Sequence, residues 1–191
     1  MIGHDNIQIE TIHEGFARLL IATIPVDEGQ TIRREIEDHG SAVGVLPFDP
    51  ARRQAILVRQ FRAPTFYAAG EKETLEAVAG GIEAGEDPIT TVEREVLEEA
   101  GLKLHHFEKV AACWTMPGIS TERMHLYLAA YAPADRVTAG GGLDAEHEGI
   151  VVEEVPLAQL ATMADAGELT DMKAFLLLQT LRLRRPELFR V

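Results

Sequence analysis

Apolar positions in the first third of the chain are spaced as strands space them. Residues 7–11 and 16–25 alternate or run apolar with β-branched side chains, the pattern of a half-buried strand. Asp27-Glu28-Gly29-Gln30 is a turn signal, so residues 31–37 read as a returning strand. Residues 41–48 stay apolar up to the turn at Asp49-Pro50, and residues 55–60 form another strand. Together these segments predict an antiparallel N-terminal sheet.

Farther along, residues 74–79 read as a strand that enters Gly80-Gly81. A helix is expected to follow, with Asp87 as N-cap, Pro88 in its first turn, and Gly101 as its stop after Glu99 or Ala100. Residues 109–114 and 124–131 look like strands joined by a loop containing Met116-Pro117-Gly118, and residues 150–155 like a last strand. Residues 157–166 and 171–184 have helical apolar spacing, with Phe175, Leu178 and Leu181 on one face. The predicted class is α/β (α+β): an N-terminal antiparallel sheet over residues 1–40, then an α/β domain over 41–191.

Composition narrows this picture. At 191 residues, 46% hydrophobic and 26% charged, the chain is an ordinary globular sequence long enough for a full core. The only cysteine is Cys113, so no intrachain disulfide forms, which fits a reducing cytoplasm. No apolar run nears the ~20 residues needed to cross a bilayer, and the N-terminus does not read as a signal peptide, so the expected location is cytoplasmic. A net charge of −13 argues against nucleic-acid or anionic-membrane partners, which require a basic surface. His4, His13, His105, His106, His125 and His147 show no zinc-type spacing with cysteine. Trp114 and Tyr127 read as core or edge aromatics.

The stretch that carries chemistry is Gly80-Gly81-Ile82-Glu83-Ala84-Gly85-Glu86 followed by Arg94-Glu95-Val96-Leu97-Glu98-Glu99-Ala100-Gly101-Leu102. Residues three and four apart on a helix share a face, so Glu95, Glu98 and Glu99 project together and repel. Arg94 alone is too little to neutralise three carboxylates. Hard oxygen ligands suit Mg²⁺, with Mn²⁺ as the substitute. A solvated acidic helix face is the plain alternative for three glutamates by themselves. The whole pattern, with its glycine turn, capped helix, Arg-Glu pair, Glu-Glu pair and closing glycine at fixed offsets, is far more specific.

Gly80, Glu86, Arg94-Glu95-Val96, Glu98-Glu99 and Gly101-Leu102 resemble the Nudix box at every defining position. The resemblance implies an α/β/α sandwich around a mixed sheet, and a loop–helix–loop that holds metal against a diphosphate attacked by activated water. Arg33-Arg34-Glu35-Ile36, Leu46-Pro47-Phe48-Asp49-Pro50, Arg59-Gln60-Phe61-Arg62, Gly15-Phe16 and Met116-Pro117-Gly118 are similar to the ADP-ribose pyrophosphatase branch, although Met116 replaces its usual serine. Ala139-Gly140-Gly141-Gly142 and Gly167-Glu168-Leu169-Thr170-Asp171-Met172-Lys173 are similar to the GDP-mannose hydrolase branch. The implied reaction is Mg²⁺-dependent hydrolysis of a nucleoside diphosphate sugar, with ADP-ribose the first expected substrate and GDP-mannose the alternative. A nucleotide sensor that binds without cutting is a further alternative, but such proteins lose box carboxylates and this chain keeps them all.

The same resemblance assigns roles. Glu95, Glu99 and the carbonyl of Ala79 match metal ligands, with Glu98 beside them and Arg94 among the catalytic groups. Glu148 matches the carboxylate that completes the metal site or acts as general base, with Glu146 in reserve and the glycines before it permitting motion. The alternative for both is an ordinary acidic loop. Arg62 matches a phosphate-contacting arginine, with an exposed strand-end arginine as the plain alternative, and Gly81 is expected at the substrate. Phe16, Arg34, Glu35 and His39 fall where relatives bring base- and ribose-contacting groups from a partner subunit, which implies a homodimer with an exchanged N-terminal sheet. Core packing is the competing reading for Phe16. Met116, Pro117, Gly118 and Glu122 are expected near the substrate, Glu122 at the terminal sugar, and Lys173 from the last helix.

Overall fold

The computed structural model describes residues 6–143 and 149–190. By internal packing the chain forms two units: Met1–Ala42 with Ala112–Met124, and Val43–Ala111 with His125–Val191.

In the first unit, β1 (Gln8–Glu14), β2 (Arg18–Pro25) and β3 (Thr31–Asp38) make a three-stranded antiparallel sheet in the order β1-β2-β3. The turn signal at 27–30 closes the β2–β3 hairpin, whose register pairs Pro25 with Thr31 and Leu20 with Ile36. The Met116-Pro117-Gly118 segment belongs to the same unit. There the carbonyl of Met116 accepts from the amides of Ile119 (3.0 Å) and Ser120 (2.8 Å), and Thr121 hydroxyl donates to Asp38 at 2.6 Å. The expected antiparallel N-terminal sheet is therefore present, but only its first three strands belong to it.

The remaining strands join a seven-stranded mixed sheet. These are β4 (Ser41–Asp49), β5 (Gln54–Gln60), β6 (Thr74–Glu76), β7 (Val78–Gly81), β8 (Glu108–Trp114), β9 (Arg123–Ala130) and β10 (Val151–Pro156). The order is β10-β5-β4-β9-β8, with β6 on β5 and β7 on β4. Both faces of β5 are buried. Ile56 and Val58 pack with Val92 and Val96 of helix α2 (Pro88–Ala100). Ala55 and Leu57, also fully buried, alternate to the opposite face. The buried leucines of α3 (Leu157–Asp165) and α4 (Met172–Arg184) lie outside the α2 cluster. Helices on both faces of a sheet are the α/β/α arrangement that the box implied.

Two local expectations are corrected, and one helix was not expected. The strand over 74–79 is interrupted at Ala77, because its amide donates to Asp171 Oδ2 at 3.0 Å instead of joining the ladder. Phe175 is exposed, and the buried face of α4 is Ala174, Leu177, Leu178 and Leu181. A short helix, α1 (Ala63–Ala69), follows β5 and buries none of its residues. It therefore carries no amphipathic signal, and Pro64 in its first turn and Gly70 after it were the only clues.

Helix α2 is fixed at both ends. Asp87 accepts from the amides of Ile89 (2.8 Å) and Thr90 (3.1 Å), a cap that contributes about 1 kcal/mol. Its C-terminal carbonyls are closed by the triple-glycine loop: Gly141 donates to Glu99 O at 2.8 Å and Gly142 to Glu98 O at 3.1 Å. A Cβ on Gly140 would stand 2.3 Å from Glu99 O, with φ at +72°. Gly140→Ala is expected to lower stability by more than about 1 kcal/mol in urea unfolding. Gly118→Ala, where a Cβ meets nothing within 4 Å, should change it by less than about half that.

Candidate active site

Strand β7 and helix α2 place the box carboxylates. Glu95 and Glu99 are 9% and 2% exposed, the two glutamates on the buried face of α2. Glu99 Oε2 accepts from the amide of Ala79 at 3.2 Å. Glu95 lies so close to Gly80 that a Cβ there would be 1.8 Å from its Oε1. The first glycine of the box is thus a spatial requirement of the carboxylate opposite it.

Arg94 gathers the others. Its Nη1 donates to Glu95 Oε1 (2.8 Å) and Glu98 Oε2 (3.2 Å), and its Nη2 to Gly81 O at 3.2 Å. It also grips Glu86 through Nε (3.2 Å) and Nη2 (3.1 Å). The hydrogen bond from Arg94, then that from Thr91, holds the Glu86 carboxyl down at about 2. One guanidinium thus serves Glu86, Glu95 and Glu98 together, and the Ala79 amide serves Glu99. Among the described residues, no group of three or more acidic, histidine or cysteine side chains is arranged to hold a metal ion. The donor set is carboxylate oxygen with neither sulfur nor imidazole, which fits a hard divalent cation. Glu148 and Glu146 lie outside the described residues.

A second cluster shares the strand that leads into β7. Glu76, the last residue of β6, is buried beside a cleft of about 740 Å³. Arg62 donates to it through Nε (2.8 Å) and Nη2 (3.0 Å), Lys173 Nζ lies 3.3 Å from it, and Thr74 hydroxyl donates to it as well. Asp171 caps α4, accepting from the amides of Lys173 (3.3 Å) and Ala174 (3.1 Å), and also receives Lys173 Nζ at 2.8 Å. Burial pushes the Glu76 carboxyl up, but Arg62, Lys173 and Thr74 outweigh it and hold it at about 2. Burial pushes Lys173 down, and Asp171 and Glu76 more than reverse it. Sequence reasoning singled out Arg62 and Lys173 and missed Glu76. The signal available was one carboxylate inside an otherwise apolar run, Leu75-Glu76-Ala77-Val78.

The remaining candidates all fall in the first unit. Arg34, Glu35, Pro117 and Gly118 line one groove of about 500 Å³ together with Ile7, Ile9 and Trp114. Phe16 is fully exposed, so core packing does not account for it, and its ring meets His39 edge-on with centroids 6.4 Å apart. His39 Nε2 lies 3.4 Å from Glu37 Oε2. Met116 is exposed and Glu122 half-buried. Trp114 is an exposed edge aromatic under Arg123, whereas Tyr127 belongs to the core.

The NUDIX domain family matches residues 38–176, most of the chain. This chain belongs to the Nudix family. It is 34% identical over 159 residues to a GDP-mannose pyrophosphatase of Cronobacter sakazakii (strain ATCC BAA-894), covering 82% of each chain. It is 32% identical over 158 residues to one of Escherichia coli O1:K1 / APEC, again covering 82% of each. A crystal structure of an ADP compounds hydrolase superposes with a TM-score of 0.76 at 19% identity, covering 97% of this chain and 96% of that one. That likeness establishes the shared fold. The chain is a Nudix pyrophosphohydrolase. Among the described residues, no helix is long and apolar enough to cross a membrane.

Because Glu76 holds fewer protons folded than unfolded, it stabilises the fold fully above its ordinary value of 4.5, and that contribution fades as pH falls toward about 2. In Glu76→Gln the fall in urea-unfolding stability between pH 5 and pH 2.5 is expected to be shallower than in the wild type. An unchanged slope would remove Glu76 as its source.

Proposed function

We propose that this Nudix enzyme hydrolyses the pyrophosphate bond of a nucleoside diphosphate sugar with Mg²⁺, giving a nucleoside monophosphate and a sugar phosphate. Sequence similarity ranked ADP-ribose first. The relatives named as GDP-mannose pyrophosphatases, together with a Lys173 seated in the second cluster, move GDP-mannose to first place in this reading. ADP-ribose remains the second compound, favoured by Pro117 and Gly118 lining the same groove as Arg34 and Glu35.

The observation that carries the reading is the buried carboxylate pair of α2, packed so closely on β7 that Glu95 excludes a side chain at residue 80. Glu95, Glu99 and the Ala79 carbonyl, with Glu148, are the groups that would hold the metal. A Mg²⁺ held there would supply positive charge against the diphosphate and would make the attacking water more acidic. Glu98 and Arg94 keep the helix face ordered around it. Arg62 and Lys173 supply fixed positive charge for phosphate oxygens, in an otherwise acidic protein where such charge is scarce. Water adds to one phosphorus as the bridging oxygen leaves with the other half.

Phe16, Arg34, Glu35 and His39 are read as base and ribose contacts donated by the partner of a homodimer. The exposed Ile7, Ile9, Ile12 and Phe16 of the first unit support a covered surface there. Light scattering at working concentration is expected to give twice the mass of one chain, and a monomer would refute the exchange.

The enzymatic test is a panel of nucleoside diphosphate sugars with Mg²⁺ in ¹⁸O-labelled water, with products identified. Turnover with one ¹⁸O in a monophosphate product is expected. Glu99→Gln should lower kcat by about 10²–10⁴-fold while its circular dichroism spectrum stays native. Thermal stabilisation without turnover would instead identify a sensor.

A further inference from the structure

Three separate elements converge on one buried carboxylate. Arg62 comes from the junction of β5 and α1, Lys173 from the first turn of α4, and Glu76 from the end of β6, where it pairs across from Val58. Each side chain lines the cleft of about 740 Å³. The Glu76 side chain is 7% exposed, whereas those of Arg62 and Lys173 are 42% and 20% exposed, so the anion is interior and the cations lie at the wall. Asp171 completes the frame by accepting both the Lys173 ammonium at 2.8 Å and the Ala77 amide at 3.0 Å.

Stability alone does not explain a charge at residue 76. Its neighbours Leu75, Ala77 and Val78 are buried and apolar, and burying an ion carries a large desolvation penalty before its partners offset it. Replacing such a network with apolar side chains is often neutral or favourable. What an apolar residue cannot do is hold a guanidinium and an ammonium in one place. Free arginine and lysine side chains carry substantial rotamer entropy, which substrate binding would otherwise have to offset. Glu76 engages the Nε and Nη2 edge of the Arg62 fork, which fixes the plane of the guanidinium.

We propose that Glu76 is a positioning residue that holds Arg62 and Lys173 as one preorganised cationic pair for the phosphate oxygens of the substrate. This rests on the diphosphate-hydrolase reading above. Glu76 touches no reacting atom and acts through the two cations. Its loss costs rate mainly because they then sample many arrangements.

The test is a double-mutant cycle on the full-length protein with GDP-mannose and Mg²⁺, measuring kcat and KM separately. Glu76→Gln is expected to lower kcat by about 10-fold or more, with a smaller change in KM. Arg62→Ala, costly in the wild type, is expected to cost at least about 5-fold less in the Glu76→Gln background, because the arginine is no longer held in place there. Additive losses, or a lower KM in Glu76→Gln from a released arginine, would overturn the proposal. If Glu76→Gln fails to fold, the cycle between Arg62→Ala and Lys173→Ala replaces it. Coupling between the two cations supports the proposal, and additivity defeats it. A wild-type protein that turns over no nucleoside diphosphate sugar removes the functional reading and this inference together. An active wild type with additive mutants removes this inference alone.

Discussion

Crowded negative charge is the constraint around which the second unit is organised. Arg94 donates to Glu86, Glu95 and Glu98, and the Ala79 amide donates to Glu99. Like charges at helical i,i+4 spacing weaken an isolated helix, so α2 needs support from outside itself. It receives an Asp87 cap at one end, a glycine-loop clamp at the other, and a buried apolar face of Val92 and Val96 against the sheet. Each support holds the carboxylates in position as well as stabilising the helix.

Glycine has two different tasks in this frame. Gly80 is small because a carboxylate lies where its side chain would be. Gly140 is small because the loop backbone must come against the carbonyl of Glu99 at a positive φ. The triple glycine suggested a mobile loop, yet Gly141 and Gly142 are hydrogen-bonded to the end of the helix that carries the glutamates. The triple-glycine segment is thereby anchored to α2 through Gly142.

What could be read in the sequence follows from where the information is local. The box helix, its cap, its terminal glycine and the β2–β3 turn were all legible, because capping and turn chemistry act within a few residues. The break at Ala77 was not, since its cause is Asp171 far along the chain. Helix α1 buries nothing and so leaves no periodic trace. Phe175 looked like part of an apolar stripe, but the buried stripe of α4 is set by Ala174, Leu177 and Leu181. Among the site residues, Arg62 and Lys173 were visible by resemblance, and their common partner Glu76 was hidden because a lone glutamate in an apolar strand has no motif. Phe16, placed between stacking group and core residue by sequence, is exposed.

Diffraction from crystals soaked with Mn²⁺ and a non-hydrolysable nucleoside diphosphate sugar, recorded at the manganese edge, bears most directly on the carboxylate stripe. Anomalous peaks at bonding distance from Glu95 and Glu99, bridging to phosphate oxygens, are the expected result. Clear diphosphate density with no anomalous peak beside those two glutamates would contradict the reading of α2 as a cation cradle.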